Sequence, residues 1–417
     1  MEVFIAGIAH TRLGRHPDQS VKQLTREAVT AALADAGLSQ GDMDAAWFAN
    51  VRQGQMEGQN SIRGQCALTA MGFGGLPIFN VENACASSSS ALYLAYAAVK
   101  AGLHDVVLVA GTEKMYYPEK RQAMMEAFFG GTDVHDMQGT WDALQHLGAG
   151  VGPATAGGGD WRQQSFFMDV YASLARMHMK MYGTTQAHFA HAAAKNHGHS
   201  ALNPLAQYRT PMSVQDVLDT PPIAWPLTRA MCAPISDGAA AAVVCSERAL
   251  DRIARARAVR IRGMGVSSAT HRPAEALAAH CVSLAAGRAY GAAGISAGQI
   301  DVVEVHDASS FAEILQIENL GLCARGEGGP YTASGATTLG GECPVNVSGG
   351  LVSKGHPIAA TGLIQLHELV TQLRGEAGAR QVRGARIAVA ENGGGFLRVE
   401  DAAAVVTVLD NPWEGRP

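Results

Sequence analysis

The hydrophobic positions of this chain form two kinds of pattern, which predict buried strands and helices. The segments Asp105–Gly111 and Arg386–Glu391 are apolar apart from charged residues at their ends. The stretches 21–36 and 274–293 are rich in alanine and have the periodicity of helices. Strands that lack polar alternation are covered by protein on both faces. We therefore predict an α/β protein in which a largely parallel sheet lies between helices.

One segment of the chain occurs twice at a constant spacing. The pattern Ala-Gly-x-Ser-x-Gly-x-x-Asp spans residues 36–44 and returns at residues 293–301. Each copy follows a helical stretch and precedes a predicted strand, and Gly37 and Gly294 stand where a helix would end. The repeat predicts two βαβαβ halves that are related by duplication.

The glycine and proline content divides the chain further. We assign residues 1–113 and 226–256 to the N-terminal half and residues 257–417 to the C-terminal half. Residues 114–225 break the pattern with several glycine runs, of which 157–159 is one. We expect this insertion in the first half to form a lid over the mouth of a site, with the glycine runs as its mobile parts.

The composition excludes several classes of protein. The 417 residues are 47% hydrophobic and carry a net charge of −5 without a basic cluster, which argues against a nucleic-acid partner. Seven cysteines are scattered without a Cys-x-x-Cys pair, so we expect free thiols in a reducing compartment. The N-terminus lacks a signal-peptide pattern, and no apolar run reaches the ~20 residues of a membrane helix. These observations predict a soluble cytoplasmic protein.

Histidines cluster in one part of the insertion. No carboxylate or cysteine completes a known zinc spacing around them, so we expect solvated histidines at a helix end and no metal site. The cluster consists of His188, His191, His197 and His199.

Cys85 is the candidate nucleophile. It follows a strand-like run over residues 76–81 and precedes an apolar helix that has no charge before Lys100. A thiol at the start of a helix meets unpaired N–H groups and the positive end of the dipole, which lowers its pKa. Because the helix is apolar nearly all round, we expect Cys85 to open into a pocket.

Three further segments follow predicted second-half strands. In doubly wound sheets, sites form beyond the carboxyl ends of strands, so these segments are predicted to converge on Cys85. A histidine there would accept the thiol proton, and amides of a glycine loop would bind an oxyanion. Taken singly, His306 would be a buried structural histidine, His356 part of a rigid turn and Lys354 a solvated loop residue. The candidates are His306, Ser348, Gly349, Lys354, His356, Glu391, Asn392, Gly393 and Gly394.

These motifs together resemble those of the thiolase superfamily, and within it the sterol-carrier-protein-2 type. Residues 83–88 (Asn-Ala-Cys-Ala-Ser-Ser) look like the nucleophile motif of that family. Residues 355–362 are similar to its Gly-His-Pro-x-Gly-Ala-Thr-Gly loop. His306 and Asp307 stand where this type has His-Asp-Cys-Phe. The likeness runs nearly end to end and implies a five-layer αβαβα sandwich of two duplicated halves.

The resemblance implies a role for each matching residue. Cys85 would take an acyl group from a 3-oxoacyl-CoA, and His356 would activate it. His306 would position an oxygen, while the Cys85 amide and a glycine of Gly393-Gly394 would form an oxyanion hole. Coenzyme A would be the co-substrate, with no tightly bound cofactor. Ser348 and Gly349 would contact the substrate, and Lys354 could bind a CoA phosphate. A homodimer is implied, and a small OB-fold, zinc-ribbon partner is a further possibility that the family offers.

The chain departs from the family at the second cysteine, which handles the proton of the leaving enolate or the incoming CoA. Ala308 fills one of its two known places, and Glu391 or Asn392 fills the other. We favour Asn392 in that slot with Glu391 beside it as a desolvated proton carrier, whose replacement by Gln would abolish turnover but spare acylation. The missing cysteine suggests a branched or aromatic substrate, such as 2-benzoylsuccinyl-CoA.

Two alternative functions remain open at this point. One is a retro-aldolase of the steroid side-chain type, which would act on a 3-hydroxyacyl-CoA; the intact Cys85 motif speaks against it. The other is a non-catalytic subunit that binds acyl-CoA, which would hold CoA esters tightly without forming an acyl-enzyme.

Overall fold

The computed structural model describes residues 1–153 and 166–413. The described residues contain eleven strands and thirteen α-helices. The strands are β1 Val3–His10, β2 Ala45–Ala49, β3 Ile78–Val81, β4 Val106–Glu113, β5 Pro222–Ala224, β6 Leu227–Thr228, β7 Gly238–Ser246, β8 Val259–Ser268, β9 Val302–Glu304, β10 Ile387–Gly394 and β11 Ala403–Asp410. The helices are α1 Val21–Ala36, α2 Gln53–Glu57, α3 Arg63–Thr69, α4 Ser87–Lys100, α5 Arg121–Glu126, α6 Met137–Gln145, α7 Phe166–Tyr182, α8 Gln186–Ala201, α9 Val214–Leu218, α10 Cys281–Ala293, α11 Ser310–Asn319, α12 Gly328–Ala333 and α13 Thr361–Leu373.

The main sheet is built as two matching halves. In the described part of the chain its strand order is β3-β2-β4-β7-β1-β8-β11-β10-β9. Counting outward from the β1–β8 junction, β7 corresponds to β11, β4 to β10 and β2 to β9. A bridge between Val303 and Val345 occupies the place that β3 has in the first half. The strand order therefore supports the duplication that the sequence repeat predicts.

The repeated segment has the same local structure in both halves. Gly37 and Gly294 end α1 and α10 in the left-handed conformation, with φ of 68° and 65°. The Asp44 carboxylate accepts hydrogen bonds from the two backbone N–H groups at the start of β4. Asp301 does the same at the start of β10. The two aspartates thus fix each helix–strand connection against the neighbouring parallel strand.

The sheet is mixed, so the prediction of a largely parallel sheet is wrong. The pairs β2–β3, β2–β4 and β9–β10 are parallel. The pairs that involve β1, β7, β8 or β11 are antiparallel. A continuous apolar run reports that a strand is covered on both faces, and it carries no information about strand direction.

Helices cover the two halves of the sheet in three layers. The helix α1 packs on the outer face of the first-half strands, and α10 packs on the outer face of the second-half strands. Between them, α4 and α13 pack against each other and against the inner faces of both halves. The result is the predicted five-layer αβαβα arrangement.

Residues between β4 and β7 add a mainly helical segment. Its helices α7 and α8 share an apolar cluster with Phe311 and Ile314 of α11, so the segment packs on the second half as well. The glycine run 157–159 lies outside the described residues. The domain boundaries proposed from the sequence remain a prediction. Within residues 1–153 and 166–413, no helix is both long and apolar enough to cross a bilayer.

Candidate active site

Cys85 lies in a tight turn between β3 and α4, immediately before Ala86, the N-cap of that helix. Ala84 has a φ of 47°, a left-handed conformation that costs a residue with a Cβ about 1–2 kcal/mol. The turn is closed by the Ala86 N–H, which donates to the Asn83 carbonyl at 3.0 Å. The Asn83 N–H donates to Ser87 Oγ at 2.9 Å. These bonds hold the thiol in front of the helix.

Two histidines meet Cys85 from the second half of the sheet. The Sγ of Cys85 and one ring nitrogen each of His306 and His356 lie within 4.8 Å of one another. The two Nε2 atoms are 3.4 Å apart, so one ring donates to the other according to its tautomer. His306 follows β9, and the backbone N–H of His356 donates to Ser236 Oγ at 2.8 Å. The three candidates therefore converge at the strand ends.

The thiol and both imidazoles are neutral in the resting site. Burial raises the pKa of Cys85 to about 12, against the opposing effects of the Arg52 charge and a hydrogen bond from the Gly395 N–H. Desolvation lowers the pKa of His306 to about 4. The pKa of His356 is also far below its usual value, through burial first and the neighbouring His306 second. The expected lowering of the Cys85 pKa is therefore wrong, because desolvation outweighs the helix end.

Glu391 and Asn392 form hydrogen bonds with groups other than the Cys85 sulfur. As neighbours on β10 they face opposite sides of the sheet. Glu391 Oε2 accepts the backbone N–H of His306 at 2.9 Å. Asn392 Oδ1 accepts from Ser89 Oγ at 2.7 Å, in the central helix layer. Neither side chain lines the cavity in front of Cys85, and the assignment of one of them to the vacant cysteine position stays a prediction. The expected desolvation of Glu391 is confirmed, since burial raises its pKa well above the usual value.

The glycine that faces the thiol is Gly395. It lines the cavity with a φ of 62°, and its N–H points at the Cys85 sulfur. Gly393 and Gly394 instead pair with β11 and lie behind the turn. A Cβ on Gly394 would stand only 2.2 Å from the Asn83 carbonyl oxygen. The sequence-based choice of Gly393-Gly394 as the amide donor is thus displaced by one residue, and Gly394 instead allows the nucleophile turn to pack on β10.

The loop before His356 is stabilised by a buried ion pair. Lys354 is 1% exposed, and its Nζ lies 2.6 Å from Glu304 Oε2 and 2.6 Å from Ser348 Oγ. Ser348 Oγ donates to the same carboxylate, and Gly349 packs directly against Ser200. None of these loop residues lines the cavity. The predictions of a solvated Lys354 or of one that binds a CoA phosphate, and of Ser348 and Gly349 as substrate contacts, are therefore wrong.

The histidine cluster of α8 is partly buried rather than solvated. His197 is hydrogen-bonded to the Ala230 carbonyl and to Ser353 Oγ. His199 is hydrogen-bonded to the Asn346 carbonyl. In the part of the chain that the structure describes, the metal-compatible groups are the Cys85 trio and His280, Cys281 and Glu400. The Glu400 carboxylate already pairs with a buried arginine and accepts the Cys281 N–H, which explains this second group without an ion.

The thiol opens into a cavity of about 480 Å³. Its walls are mostly apolar and aromatic, and the segment between β4 and β7 supplies most of the rings. Ala308 lines it at one of the places where the family has a second cysteine. The hydrophobic lining consists of Met115, Met125, Phe128, Phe129, Phe166, Phe167, Met168, Tyr171, Ile235 and Ile358.

Among the lining residues that sequence reasoning missed, Arg52 and Gly395 are the two that lie closest to the chemistry of Cys85. Arg52 follows the carboxyl end of β2, so the rule that located His306 would also have indicated it. Gly395 was missed because the register of the glycine run relative to Cys85 depends on where β10 ends.

A thiol and two imidazoles at the strand ends of a duplicated five-layer sandwich define the thiolase class of enzymes. The model of the thiolase N-terminal domain matches residues 3–157, and that of the thiolase C-terminal domain-like family matches residues 263–410. The chain belongs to the thiolase family.

Named relatives support an activity as well as a fold. The chain is 37% identical to an acetyl-CoA acetyltransferase of Methanothermobacter thermautotrophicus, over 94% of this chain and 96% of the relative. It is 35% identical to sterol carrier protein 2 of Oryctolagus cuniculus, over 97% and 71%. It is 32% identical to the benzoylsuccinyl-CoA thiolase subunit BbsB of Thauera aromatica, over 96% of each. The protein is thus an acyltransferase of the thiolase type, with coenzyme A as co-substrate.

A solved structure agrees with the fold. The Ltp2-ChsH2(DUF35) aldolase has a TM-score of 0.75 over 100% of this chain and 99% of its own, at 23% identity. At that identity the likeness concerns the fold alone.

Proposed function

We propose that the protein cleaves a 3-oxoacyl-CoA with coenzyme A, or runs the reverse Claisen condensation, through an acyl-enzyme on Cys85. The observation that carries this proposal is the meeting of Cys85, His306 and His356 within 4.8 Å at the base of an apolar cavity. A nucleophile beside a neutral base is the arrangement that covalent acyl transfer needs.

In the first step, His356 takes the Cys85 proton as the sulfur attacks the 3-oxo carbon. The developing oxyanion accepts hydrogen bonds from the Cys85 or Gly395 amide. The bond between C2 and C3 breaks, its electron pair moves to C2, and the acyl group stays on sulfur. The proton held by the His306–His356 pair then passes to C2 of the enolate, which leaves as the shorter acyl-CoA.

In the second step, the same histidine pair takes the proton of the incoming CoA thiol. The CoA sulfur attacks the acyl-enzyme, and Cys85 leaves as a thiolate that recovers the proton. A pair of imidazoles 3.4 Å apart can hold one proton between them, so it replaces the second cysteine of other family members. This arrangement supports proton transfer by side chains in the cavity rather than by Glu391 beneath it.

We propose that the acyl group is branched or aromatic. Four phenylalanine rings line the cavity together with methionines, which fit irregular apolar groups. The relative whose name specifies benzoylsuccinyl-CoA supports an aromatic substrate, and 2-benzoylsuccinyl-CoA belongs in any panel of test substrates.

The assembly belongs to the proposal as well. The edge strand β3 exposes Phe79 by 47%, which fits the homodimer expected through the first-half edge. The relative from Thauera aromatica is named as a thiolase subunit, which supports a second, small OB-fold or zinc-ribbon partner. Sedimentation of the isolated chain, with Phe79→Glu as the variant, tests the first of these assignments; a dimer unaffected by Phe79→Glu would contradict it.

A product assay tests the reaction. Wild-type protein, Cys85→Ala and His356→Ala are incubated with CoA and a panel of 3-oxoacyl-CoAs, and the CoA esters are separated by chromatography. We expect two shorter acyl-CoAs from the wild type and at least a ~100-fold slower reaction in either variant. Cleavage of 3-hydroxyacyl-CoAs that persists in Cys85→Ala would instead establish the retro-aldolase. Tight binding of CoA esters without cleavage would establish the binding subunit.

A further inference from the structure

Arg52 is a buried cation in the wall of an otherwise apolar cavity. Its side chain is part of the lining, yet the residue is only 8% exposed. The histidines of the site are neutral, and the other charged lining residue is Glu126, which is exposed. A charge in such surroundings is costly unless an opposite charge compensates it.

The protein compensates this charge only without direct contact, chiefly through the buried carboxyl of Glu113. In residues 1–153 and 166–413, the guanidinium forms no ion pair, and the buried Nε has no hydrogen-bond partner. The nearest buried carboxylate, Glu113, accepts the backbone N–H groups of Val51 and Arg52 at 3.2 and 3.0 Å instead. Glu82 is exposed. The guanidinium is therefore free to bind an anion that enters the cavity.

Two glycines allow the Arg52 guanidinium to pack closely on the backbone beside the nucleophile. A Cβ on Gly130 would lie 2.8 Å from one terminal nitrogen of Arg52, and a Cβ on Gly131 would lie 3.3 Å from the other. The Gly131 carbonyl accepts the N–H of Phe396 at 2.8 Å. Gly131 also abuts Gly395, the residue whose N–H faces Cys85. Arg52 thus lies on the same wall as the nucleophile, one layer of glycine backbone away.

We propose that Arg52 binds a carboxylate on the acyl part of the substrate, so that the enzyme selects 3-oxoacyl-CoAs with an acidic acyl chain. This assignment rests on the proposed thiolase reaction and names its substrate class. The planar guanidinium can bind a carboxylate through two parallel hydrogen bonds, which suits it to this task better than a lysine. The phosphates of CoA are separated from the thioester by the whole pantetheine arm, so they are not the anion beside Cys85.

The test compares acids with matched neutral amides. Acylation of Cys85 is followed by rapid quench and intact mass spectrometry with 3-oxoglutaryl-, 3-oxoadipyl- and 3-oxopimelyl-CoA, with 2-benzoylsuccinyl-CoA, and with the terminal carboxamide of each. The proteins are wild type, Arg52→Lys, Arg52→Met and Arg121→Met. Arg121 is an exposed arginine beside the cavity-lining Gln122, and its replacement removes the same charge without touching the cavity wall.

We expect at least one acid substrate to acylate Cys85 of the wild type about 30-fold or more faster than its amide does. With the amide, the Arg52 charge would stay buried without a partner, which is strongly unfavourable. Arg52→Met should abolish this preference because it slows acylation by the acid and changes acylation by the amide little. Arg52→Lys should keep part of it, and Arg121→Met should keep all of it.

Two results would overturn the assignment while leaving the thiolase reaction intact. One is equal acylation by acid and amide in every pair with the wild type. The other is an equal loss for both members of a pair in Arg52→Met, which would show that Arg52 acts on the Cys85 thiolate. The wild-type comparison stands even if Arg52→Met fails to fold. No adduct with any ester, charged or neutral, would overturn the proposed function and this substrate class together.

Discussion

At the residue scale, the active site contains a thiol and two imidazoles that are all neutral before substrate binds. The thiol pKa is raised by desolvation, and the imidazole pKa values are lowered by it. A neutral thiol beside neutral bases gives up its proton during attack rather than before it. The burial of Cys85 is therefore the reason that the resting cysteine is a poor nucleophile.

This protonation state predicts how Cys85 reacts with iodoacetamide. With a thiol pKa of about 12, the alkylation rate of the free enzyme should rise about tenfold per pH unit from pH 7 to 9 without a plateau. Peptide mapping by mass spectrometry would follow Cys85 separately from the other six cysteines. A plateau near neutral pH would show that the helix start does stabilise a thiolate.

Glu391 offers a second prediction at this scale. Its pKa is raised far above the usual value, by burial first and the nearby Asp401 second, so the carboxyl is protonated and accepts the His306 N–H. A glutamine presents the same acceptor, so Glu391→Gln should keep kcat within about fivefold. Glu391→Ala leaves that N–H unpaired and should lower stability by about 1–3 kcal/mol. Loss of turnover in Glu391→Gln, with Cys85 still acylated, would restore the proton-carrier hypothesis and reject this one.

At the element scale, the site depends on how closely the nucleophile turn packs on β10. Gly394 makes that contact possible, because a Cβ there would overlap the Asn83 carbonyl. Gly394→Ala should therefore destabilise the protein by about 1–3 kcal/mol and lower the acylation rate. Gly287, in α10, has open space at its Cβ position, so Gly287→Ala should stabilise by about 0.5–1 kcal/mol without affecting the rate. Urea unfolding measures the stability of both variants, and single-turnover kinetics measures their acylation rates. An unchanged stability and rate in Gly394→Ala would contradict the packing argument.

The loop that carries His356 depends on the Lys354–Glu304 pair. Lys354→Met would leave the Glu304 carboxylate buried without its cation, which costs about 3–5 kcal/mol. We expect a lower midpoint of urea unfolding and an unchanged KM for CoA, since Lys354 does not reach the cavity. The reverse result, with normal stability and a raised KM, would return Lys354 to the role of a CoA ligand.

At the scale of the whole molecule, the repeat in the sequence predicts the duplicated halves because short-range signals define it. The capping glycines act within a few residues of their own helices, and the aspartates recur at the same distance after them. The convergence of Cys85, His306 and His356 also follows from a general rule about strand ends. Both predictions rest on features that a linear sequence displays.

Other features depend on contacts between distant residues, which the sequence does not display. Lys354 looks like a loop lysine until Glu304, which lies fifty residues earlier, is placed beside it. The apolar runs of β7 and β11 do not indicate whether these strands pair in parallel or antiparallel. A cation after a strand, such as Arg52, does not reveal whether it turns to solvent or into a cavity. For this reason the environment of Lys354 and the strand directions were predicted wrongly, and Arg52 was missed.

If the acyl group passes through Cys85, a covalent intermediate can be trapped on that residue. Protein mixed with a 3-oxoacyl-CoA in the absence of CoA is quenched, digested and mapped by mass spectrometry, with Cys85→Ala as the control. We predict an acyl adduct on the peptide that contains Cys85 and none in the variant. Product formation in the wild type without any adduct on Cys85, or an adduct on another cysteine, would contradict the account.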